Sequence, residues 1–414
     1  MKKIFSCIFA LLLAGSVFAF GGWGARVKKG VVIDGVEVGG MTYAEAEKSV
    51  RAGIAHIPFT LHAPDGDLTP DIVYTDDLSS LLRHAGKGET HAVTVRREWP
   101  DAEKFLADVC KKNVREPQDA ALSFSRRGFA YTAERAGTYC DYAASLCAAL
   151  SALAAGETEA ALVTRTWQPS VTEEMLRERT RKLASFSTTF NEEKTARVHN
   201  ISLACERIAG TVIGPGETFS FNETVGNRTR ENGFLDAPVI VSGEFVQGTG
   251  GGVCQASTTL MGAALRAGLC IVESRPHSLS VGYVPPSQDA MVSRYSDLKI
   301  SNPYDFPVYL LGGTGEGRVR FEVYGMPDGK IYKLESRVLE RIAPPPAEIV
   351  EGDEDRTLRA EKAGMRSECY LLTYSGDGTL LSRRLFRRDS YACVQGRIQV
   401  APQAPQEEPL PEEP

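Results

Sequence analysis

Apolar and polar residues alternate over many short stretches of this chain, and glycine or proline turns separate most of these stretches. Residues 31–38 alternate in this way and predict a strand that ends in a turn at Gly39 and Gly40. Thr42 then has the pattern of a helix N-cap, because Glu45 three residues later completes a capping box. Residues 58–62 and 91–95 are also strand-like. Together these stretches predict a small α+β module over residues 30–100.

A second module of the same kind is predicted over residues 101–170. Residues 120–124 and 128–131 are strand-like, and residues 160–164 return as a strand. Between them, Asp141 is the predicted N-cap and Gly156 the predicted C-terminal residue of a helix. The apolar residues of this helix share one face, which we expect to be buried: Tyr142, Leu146, Leu150 and Leu153.

A highly charged segment, residues 171–183, predicts a solvated helical connector that begins at Thr172 and extends to about Leu183. The domain predicted after it covers residues 184–328. It has a helix that ends at Gly210, a second helix of small and apolar residues over 256–267, and strands at 238–241, 307–311 and 319–324. The first of these helices has one apolar face, formed by Val198, Ile201, Cys205 and Ile208.

The C-terminal part, residues 329–401, is predicted as a linker followed by a small β-hairpin. Prolines at 344–346 and acidic residues at 351–355 are typical of a linker, and a turn at 375–378 joins two strand-like stretches. The Pro/Glu-rich tail, residues 402–414, is predicted to be disordered. The whole pattern is that of a multidomain α+β protein: two small α+β modules, a larger α+β domain and a C-terminal hairpin.

Composition supports folded domains and narrows the range of partners. The chain has 414 residues, 43% hydrophobic and 24% charged, which suits two or three domains with buried cores. Its 47 basic and 53 acidic residues give a net charge of -6. Nucleic-acid-binding proteins usually carry a basic surplus, so nucleic acid is not an expected partner.

The N-terminus has the pattern of an export signal. Lys2 and Lys3 precede an apolar run over residues 4–20, and small residues at 17 and 19 fit signal cleavage after Ala19. Residues 1–29 are therefore predicted to be a signal peptide or, if uncleaved, an anchor in the cytoplasmic membrane. Both alternatives place the rest of the chain outside the cytoplasm.

Eight cysteines follow the export signal and would meet an environment in which disulfides form. The sequence does not assign their pairing, since eight cysteines permit 105 combinations. We predict one pair, Cys369 with Cys393, because the two residues flank the C-terminal hairpin. No CxxC or HxxxH spacing occurs in the chain, so neither a metal site nor a cofactor is predicted.

One group of residues is a candidate for catalysis. Glycines at 250–252 precede Cys254 and place its thiol at a helix N-terminus, where backbone N–H groups favour a thiolate and can hold an oxyanion. His277 is the candidate general base, Asp289 the residue that orients it, and Gln255 an additional oxyanion donor. By this position, Cys254 is predicted to be the most reactive thiol of the chain.

A structural interpretation of the same residues stays open. A cysteine beside a helix is often a small core residue, and a glycine run can be a tight turn or an anion-binding loop without covalent chemistry. Cys205 and Cys270 lie in apolar stretches and are predicted to be buried and unreactive.

The domain predicted over residues 184–328, here called the third zone, resembles the VanW family of bacterial cell-envelope proteins. The family is named for a gene found in some vancomycin-resistance clusters. Pro286 departs from the family pattern, in which glycine is usual at that position. The matching residues stand in the family's order: Ser185, Phe186, Ser187, Thr188, Phe190, Arg197, Asn200, Pro215, Gly216, Glu217, Phe219, Ser220, Phe221, Asn222, Val225, Gly226, Gly251, Gly252, Val253, Cys254, Gln255, Ser257, Thr258, Thr259, Leu260, Pro276, His277, Ser278, Tyr283, Val284, Pro285, Asp289, Ala290, Asp297, Leu298 and Asn302.

The resemblance implies an envelope location and contact with peptidoglycan or its precursors. The two front modules resemble peptidoglycan-binding modules that often precede such domains. Several residues of the third zone become candidates for ligand binding: Gly250, Gly251, Gly252, Ser257, Thr258, Arg197 and Asn222. Two hypotheses follow: a cell-wall binding and scaffolding protein, or a Cys–His–Asp thiol enzyme of acyl transfer or amide hydrolysis on peptide stems.

Overall fold

The computed structural model of the chain describes residues 25–241 and 244–401. Most of the predicted signal peptide or anchor, and the whole of the predicted disordered tail, lie outside the described residues. Among the described residues, no helix combines the length and the apolar character needed to cross a membrane.

The described residues form eight helices, which are α1 (Tyr43–Arg51), α2 (Leu78–His84), α3 (Ala102–Lys112), α4 (Tyr142–Ala155), α5 (Glu173–Glu178), α6 (Thr195–Ile208), α7 (Phe221–Val225) and α8 (Val253–Arg266). They also form 27 strands, which are β1 (Val32–Ile33), β2 (Val36–Glu37), β3 (Thr60–Ala63), β4 (Gly66–Leu68), β5 (Val73–Asp76), β6 (Thr90–His91), β7 (Val95–Glu98), β8 (Ala121–Ser125), β9 (Gly128–Thr132), β10 (Gly137–Cys140), β11 (Glu159–Ala161), β12 (Thr164–Trp167), β13 (Arg181–Thr189), β14 (Thr211–Ile213), β15 (Thr218–Ser220), β16 (Asp236–Val241), β17 (Glu244–Thr249), β18 (Cys270–Glu273), β19 (Lys299–Ser301), β20 (Val308–Gly315), β21 (Arg318–Gly325), β22 (Lys330–Ile342), β23 (Glu348–Glu351), β24 (Arg356–Arg359), β25 (Gly364–Ser375), β26 (Leu380–Tyr391) and β27 (Arg397–Val400).

The chain divides into two compact units. The first comprises the described residues up to 118 together with residues 136–168, and the second comprises residues 119–135 and the chain from residue 169 onward. Short helices occur with mostly antiparallel sheets in both units, so the prediction of a multidomain α+β protein is confirmed.

The first unit contains two small hydrophobic cores and several short sheets. Two long-range pairings are parallel, β1 with β6 and β3 with β11. The predicted helix signals are confirmed, because the Thr42 hydroxyl accepts from the Glu45 amide at 3.3 Å and Gly156 ends α4 in the left-handed conformation at φ 87°. A disulfide joins Cys110 of α3 to Cys140 of β10.

The buried face of α4 differs from the predicted one. Tyr142 and Leu150 are 38% and 40% exposed, whereas the fully buried positions are Ser145 and Ala149. The physical reason is tertiary: α3 and β11 pack against the side of α4 that carries small residues, and only small side chains let elements approach closely.

The core of the second unit is built around α8. This helix and α6 pack against a four-stranded antiparallel sheet of order β13-β21-β20-β14. Residues 255–265 of α8 are all buried, which explains why its small and apolar residues show no polar face. The hairpin β8–β9 belongs to the same unit, since Phe124 and Phe129 pack their rings against Tyr309 of β20 at 4.9 and 5.1 Å.

The charged connector is shorter as a helix than predicted. The helix α5 ends at Glu178, and residues 181–189 form β13, which pairs with β21. The sheet therefore begins inside the segment whose charges predicted a helix. Arg181 and Lys182 are both exposed at the start of this edge strand, as charged residues of a solvated helix would be, so composition alone did not separate the two.

The C-terminal region is more extensive than a linker and a hairpin. β25 pairs with both β22 and β26 in a three-stranded antiparallel sheet, and the predicted linker contributes β23 and β24 to a second sheet with β27. The predicted Cys369–Cys393 disulfide is wrong, since both thiols are free. Cys369 pairs in register with Arg387, whereas Met365 already pairs with Tyr391. Cys393 therefore lies several residues from Cys369 along the sheet, beyond the roughly 7 Å Cα separation that a disulfide spans.

Candidate active site

The helix that carries Cys254 begins directly after a turn of three glycines. Gly250 and Gly252 have φ values of +88° and +106°, which side chains rarely allow. A Cβ on Gly251 would lie 2.6 Å from the carbonyl oxygen of Ala237. The turn therefore needs glycine both for its conformation and for its close packing on β16.

The thiol of Cys254 lies in the first turn of α8 and is half-buried. Its Sγ donates to the carbonyl oxygen of Val292 at 3.4 Å and accepts from the Val292 amide at 3.5 Å. These contacts fix the sulfur against the segment that follows Asp289. The Cys254 amide donates to no carbonyl among the described residues, as is usual for the first amides of a helix.

His277 and Asp289 form a buried pair beside this thiol. Asp289 Oδ2 lies 2.7 Å from His277 Nδ1 and also accepts from the His277 backbone amide at 2.7 Å. The imidazole interacts with the Cys254 side chain. Because Asp289 occupies Nδ1, Nε2 is the ring nitrogen that remains for the thiol. The three predicted catalytic residues are therefore aligned in the order thiol, imidazole, carboxylate.

The second oxygen of Asp289 is held by strand β26. Oδ1 accepts from the Tyr391 hydroxyl at 2.6 Å and from Arg387 Nη2 at 3.1 Å. Arg387 Nη2 also donates to the Asp289 carbonyl at 2.5 Å, and the Tyr391 hydroxyl accepts from the Ser287 amide at 2.7 Å. Both residues thus restrain the carboxylate and the backbone that carries it.

The protonation states of the three groups are coupled. Burial favours the neutral thiol, but the hydrogen bond and charge of His277, with smaller contributions from Val292 and Arg228, lower the pKa of Cys254. Burial also disfavours a charged imidazole, yet hydrogen bonds with Asp289 and Cys254 raise the pKa of His277 to about 9. Hydrogen bonds likewise hold the pKa of Asp289 below its usual value in spite of burial. These directions favour a thiolate–imidazolium pair at neutral pH.

The predicted ligand-binding hydroxyls on α8 have a positioning role. Ser257 Oγ donates to the Ala290 carbonyl at 2.6 Å, and Thr258 Oγ1 accepts from the Ala290 amide at 2.9 Å. Both side chains are fully buried. They fasten the segment next to Asp289 onto the helix that carries Cys254, which keeps the carboxylate in register with the thiol.

Gln255 also makes structural contacts instead of offering a free donor. Its Nε2 donates to the Thr188 hydroxyl at 3.0 Å and to the Thr189 carbonyl at 2.8 Å. Its Oε1 accepts from Arg197 Nη2 at 2.8 Å. The side-chain amide predicted to stabilise an oxyanion is therefore already occupied by β13.

Asn222 is similarly committed to the fold. Its Nδ2 donates to the carbonyls of Ser293 and Ser296, both at 3.0 Å, and its Oδ1 accepts from Arg228 Nη2 at 2.5 Å. This amide holds the turn that follows Val292. Arg197 lies against Gly252 of the glycine turn that precedes Cys254.

Sequence reasoning did not identify four residues as part of this site. Arg387 and Tyr391 come from a strand that begins more than 90 residues after Asp289, and no local pattern marks them. Arg228 acts electrostatically on the thiol. Tyr283 interacts with Thr258, and burial together with the charge of Cys254 raises its pKa. In the sequence, Tyr283 is noted only as a match to the family pattern, and that match does not say where its side chain lies. Among the described residues, no cluster of His, Cys, Asp or Glu could hold a metal ion.

Comparison with known proteins matches the region that contains Cys254, His277 and Asp289. The family described as VanW like protein matches residues 196–324. Residues 196–324 are therefore similar to the VanW family, and the predicted resemblance is confirmed. Arg387 and Tyr391, which hold Asp289, lie outside the matched residues.

Two curated relatives are similar to part of this chain. The uncharacterized protein YoaR of Bacillus subtilis is 46% identical over 158 residues, 38% of this chain and 52% of that protein. The vancomycin B-type resistance protein VanW of Enterococcus faecalis is 32% identical over 126 residues, 29% of this chain and 45% of that protein. The chain thus spans about half the length of each of these curated relatives.

Proposed function

We propose that the protein is a thiol enzyme of the bacterial cell envelope that cleaves or exchanges amide bonds in the peptide stems of peptidoglycan or its precursors. The observation that carries the proposal is the alignment of Cys254, His277 and Asp289, with the thiol pKa lowered and the imidazole pKa raised. A protein that only binds cell wall has no need for a thiol coupled to a buried His–Asp pair.

At the start of the proposed reaction, His277 already holds the proton of the Cys254 thiol. The thiolate attacks the carbonyl carbon of the substrate amide, and the carbonyl becomes an oxyanion. The imidazolium of His277 then gives its proton to the amine as the C–N bond breaks, which leaves an acyl thioester on Cys254. Water or a second amine attacks the thioester, and the thiol is restored. Asp289 stays ionised and keeps Nδ1 protonated throughout.

The oxyanion has a donor in the backbone of the nucleophile itself. The Cys254 amide donates to no backbone carbonyl in the described part of the chain and lies in the first turn of α8. Backbone N–H groups in this position stabilise negative charge where it develops in the transition state. We assign this role to Cys254 N–H in place of Gln255.

The choice of peptidoglycan rests on family and context. One relative bears the name of a vancomycin B-type resistance protein, and the N-terminal pattern predicts export. In the alternative function, a cell-wall scaffold, the front modules would bind peptidoglycan and the thiol would be dispensable. The two functions differ in what replacement of Cys254 does to the protein.

Mass spectrometry of purified peptidoglycan fragments incubated with the full chain tests the proposal. We expect fragments that have gained water across an amide bond, or exchanged their amine, and no such products with Cys254→Ala or His277→Ala. Cys270→Ala is the matched control, since Cys270 is a free and exposed thiol in the same unit. Unchanged fragments with the native chain, together with wall binding by Cys254→Ala equal to that of the native chain, would favour the scaffold.

A further inference from the structure

Two arginines lie directly against the glycine turn that precedes Cys254. A Cβ on Gly250 would lie 2.8 Å from Cβ of Arg228, and a Cβ on Gly252 would lie 2.9 Å from Cγ of Arg197. Each arginine therefore occupies the space that a side chain on the turn would fill. The absence of side chains on the turn brings both arginines to the nucleophile.

The guanidinium groups of both arginines have only neutral hydrogen-bond partners in the described part of the chain. Arg228 Nη2 donates to Asn222 Oδ1 at 2.5 Å, and its buried Nε has no partner there. Arg197 Nη2 donates to Gln255 Oε1 at 2.8 Å. Each guanidinium has five N–H donors, so most of this capacity remains for another group.

The acidic residues nearest to these arginines are already satisfied. Asp297 acts electrostatically on Arg228, but its carboxylate accepts from the Ser220 hydroxyl at 2.5 Å and the Leu298 amide at 2.8 Å. Asp289 is held by His277, Tyr391 and Arg387. Neither carboxylate forms an ion pair with Arg197 or Arg228 within the described residues. The positive charge beside the thiol is therefore not neutralised by direct contact.

Both arginines act on the groups of the active site. The charge of Arg228 acts on the Cys254 thiol. The charge of Arg197 acts on the Tyr283 hydroxyl, and the charge of Cys254 acts on the same hydroxyl. Arg228 thus adds a fixed positive charge near the sulfur, and Arg197 adds a second one near Tyr283. Positive charges of this kind attract anionic substrates.

We propose that Arg197 and Arg228 form an anion subsite beside Cys254, which takes a carboxylate of the peptide substrate. The planar guanidinium matches the two oxygens of a carboxylate and binds them through charge-assisted hydrogen bonds. This inference rests on the proposed function, since it describes the substrate of the same thiol. It restricts that substrate to peptides with an acidic group next to the reacting amide.

The test compares two alkylating agents of similar size, one anionic and one neutral. Iodoacetate transfers a carboxymethyl group to a thiolate, and iodoacetamide transfers a carbamoylmethyl group, each with loss of iodide. The measurement is the ratio of their rate constants at Cys254, read by mass spectrometry and divided by the same ratio at the exposed Cys270. The ratio cancels any change in the thiolate fraction, because both reagents need the same thiolate.

We expect the normalised ratio to favour iodoacetate at Cys254 and to fall about tenfold in Arg228→Gln, the factor that one charge-assisted hydrogen bond supplies. Arg197→Gln should lower it as well. Arg228→Lys keeps the charge and should retain most of the preference. Arg320→Gln is the matched control, since it removes one positive charge from an exposed position of β21 and should leave the ratio unchanged. His277 contributes equally in all four variants.

The outcomes separate this inference from the proposed function. Rapid labelling of Cys254 by iodoacetamide with a ratio equal to that of Cys270, unchanged in Arg228→Gln, overturns the anion subsite and leaves the thiol enzyme standing. Slow labelling by both reagents at Cys254 overturns the enzyme itself, and the subsite with it. A ratio that falls equally in Arg320→Gln also overturns the subsite, because general charge then explains it.

Protection of Cys254 from iodoacetamide identifies the source of the carboxylate. N-acetylalanine offers a main-chain carboxylate, N-acetylglutamic acid α-amide offers a side-chain carboxylate, and N-acetylalaninamide is neutral. We expect one or both acids to slow labelling in the native chain and not in Arg228→Gln. Equal protection by the neutral amide contradicts the subsite.

Discussion

The Tyr391 hydroxyl donates a 2.6 Å hydrogen bond to Asp289, a residue 102 positions earlier in the chain. Tyr391 is the last residue of β26, and Asp289 lies on the segment between β18 and β19. The carboxylate that orients His277 is therefore held by a sheet outside the matched family region. In this chain the C-terminal sheet completes the candidate site of the region that matches the VanW family.

Replacement of Tyr391 by Phe removes the hydroxyl that bridges Asp289 and the Ser287 amide. We expect a loss of about 1–3 kcal/mol in the free energy of unfolding, since two buried polar groups lose a partner. We also expect the pKa of Cys254 to rise, measured from the pH dependence of iodoacetamide labelling. Tyr370→Phe is the control, because it removes a hydroxyl that donates to Glu368 in the same sheet and not to Asp289. Equal effects of both variants on the Cys254 pKa would speak against a role of Tyr391 in the site.

Asp289→Asn tests whether the carboxylate sets the state of the imidazole. Asparagine carries no charge and has one acceptor oxygen where aspartate has two, so the imidazole loses its stabilising charge. An NH2 donor then faces either His277 or the donors Tyr391 and Arg387. We expect turnover to fall by about 10³–10⁴-fold, the size typical of such changes in hydrolytic triads, and the pKa of His277 to fall. NMR titration of the imidazole measures the second effect. A native pKa of His277 in the variant contradicts the assigned pairing.

The profile of activity against pH should be bell-shaped. On the acidic side, turnover falls as the thiolate is protonated, at a pH below the ordinary range of a free thiol because the pKa of Cys254 is lowered. On the alkaline side, turnover falls near pH 9, where His277 loses the proton it must give to the leaving amine. The pH profile of kcat/KM reports both limits. If iodoacetamide labelling gave the same apparent pKa of Cys254 in the native chain and in His277→Ala, the two groups would not interact.

Gly252→Ala should disturb the site through the backbone. Its φ of +106° disfavours any side chain, and the new Cβ would lie 2.9 Å from Arg197. We expect destabilisation of about 1–3 kcal/mol and slower labelling of Cys254. Gly313→Ala in β20 is the control, because a Cβ there meets nothing within 4 Å. Denaturant unfolding and thiol labelling measure the two effects.

The Cys110–Cys140 disulfide should stabilise the first unit, to which both cysteines belong. It closes a segment of 30 residues between α3 and β10, which in the chain-entropy model contributes about 3–4 kcal/mol. The double variant Cys110→Ser/Cys140→Ser should lower the melting temperature of that unit and leave iodoacetamide labelling of Cys254 unchanged. Peptide mapping that finds both thiols free in the native exported protein contradicts the pairing.

Local signals in the sequence predicted much of this structure. The capping box at Thr42, the N-cap at Asp141 and the glycine at the end of α4 are set by neighbouring residues, so a short window contains the whole cause. The same holds for Cys254. Its thiol lies at the start of the helix because the helix follows the three glycines directly in the sequence.

Contacts between distant parts of the chain were not accessible to the same reasoning. The buried face of α4, the free Cys369 and the support of Asp289 by Arg387 depend on which strands pair and in which register. Cys205 is buried, and burial raises its pKa to about 12, as predicted, but Cys270 is exposed on β18. An apolar neighbourhood in sequence does not decide which side of a short strand meets solvent.

Because the hairpin β8–β9 belongs to the second unit, the two units cannot be separated by dividing the chain at one position. Since residues 119–135 belong to the second unit, the chain passes from one unit to the other at 118–119, 135–136 and 168–169. A fragment that ends near residue 170 would carry the hairpin away from Tyr309, its partner on β20. Exchange of the second unit between homologous chains must therefore move two segments together, and deletion analysis must treat residues 119–135 as part of that unit.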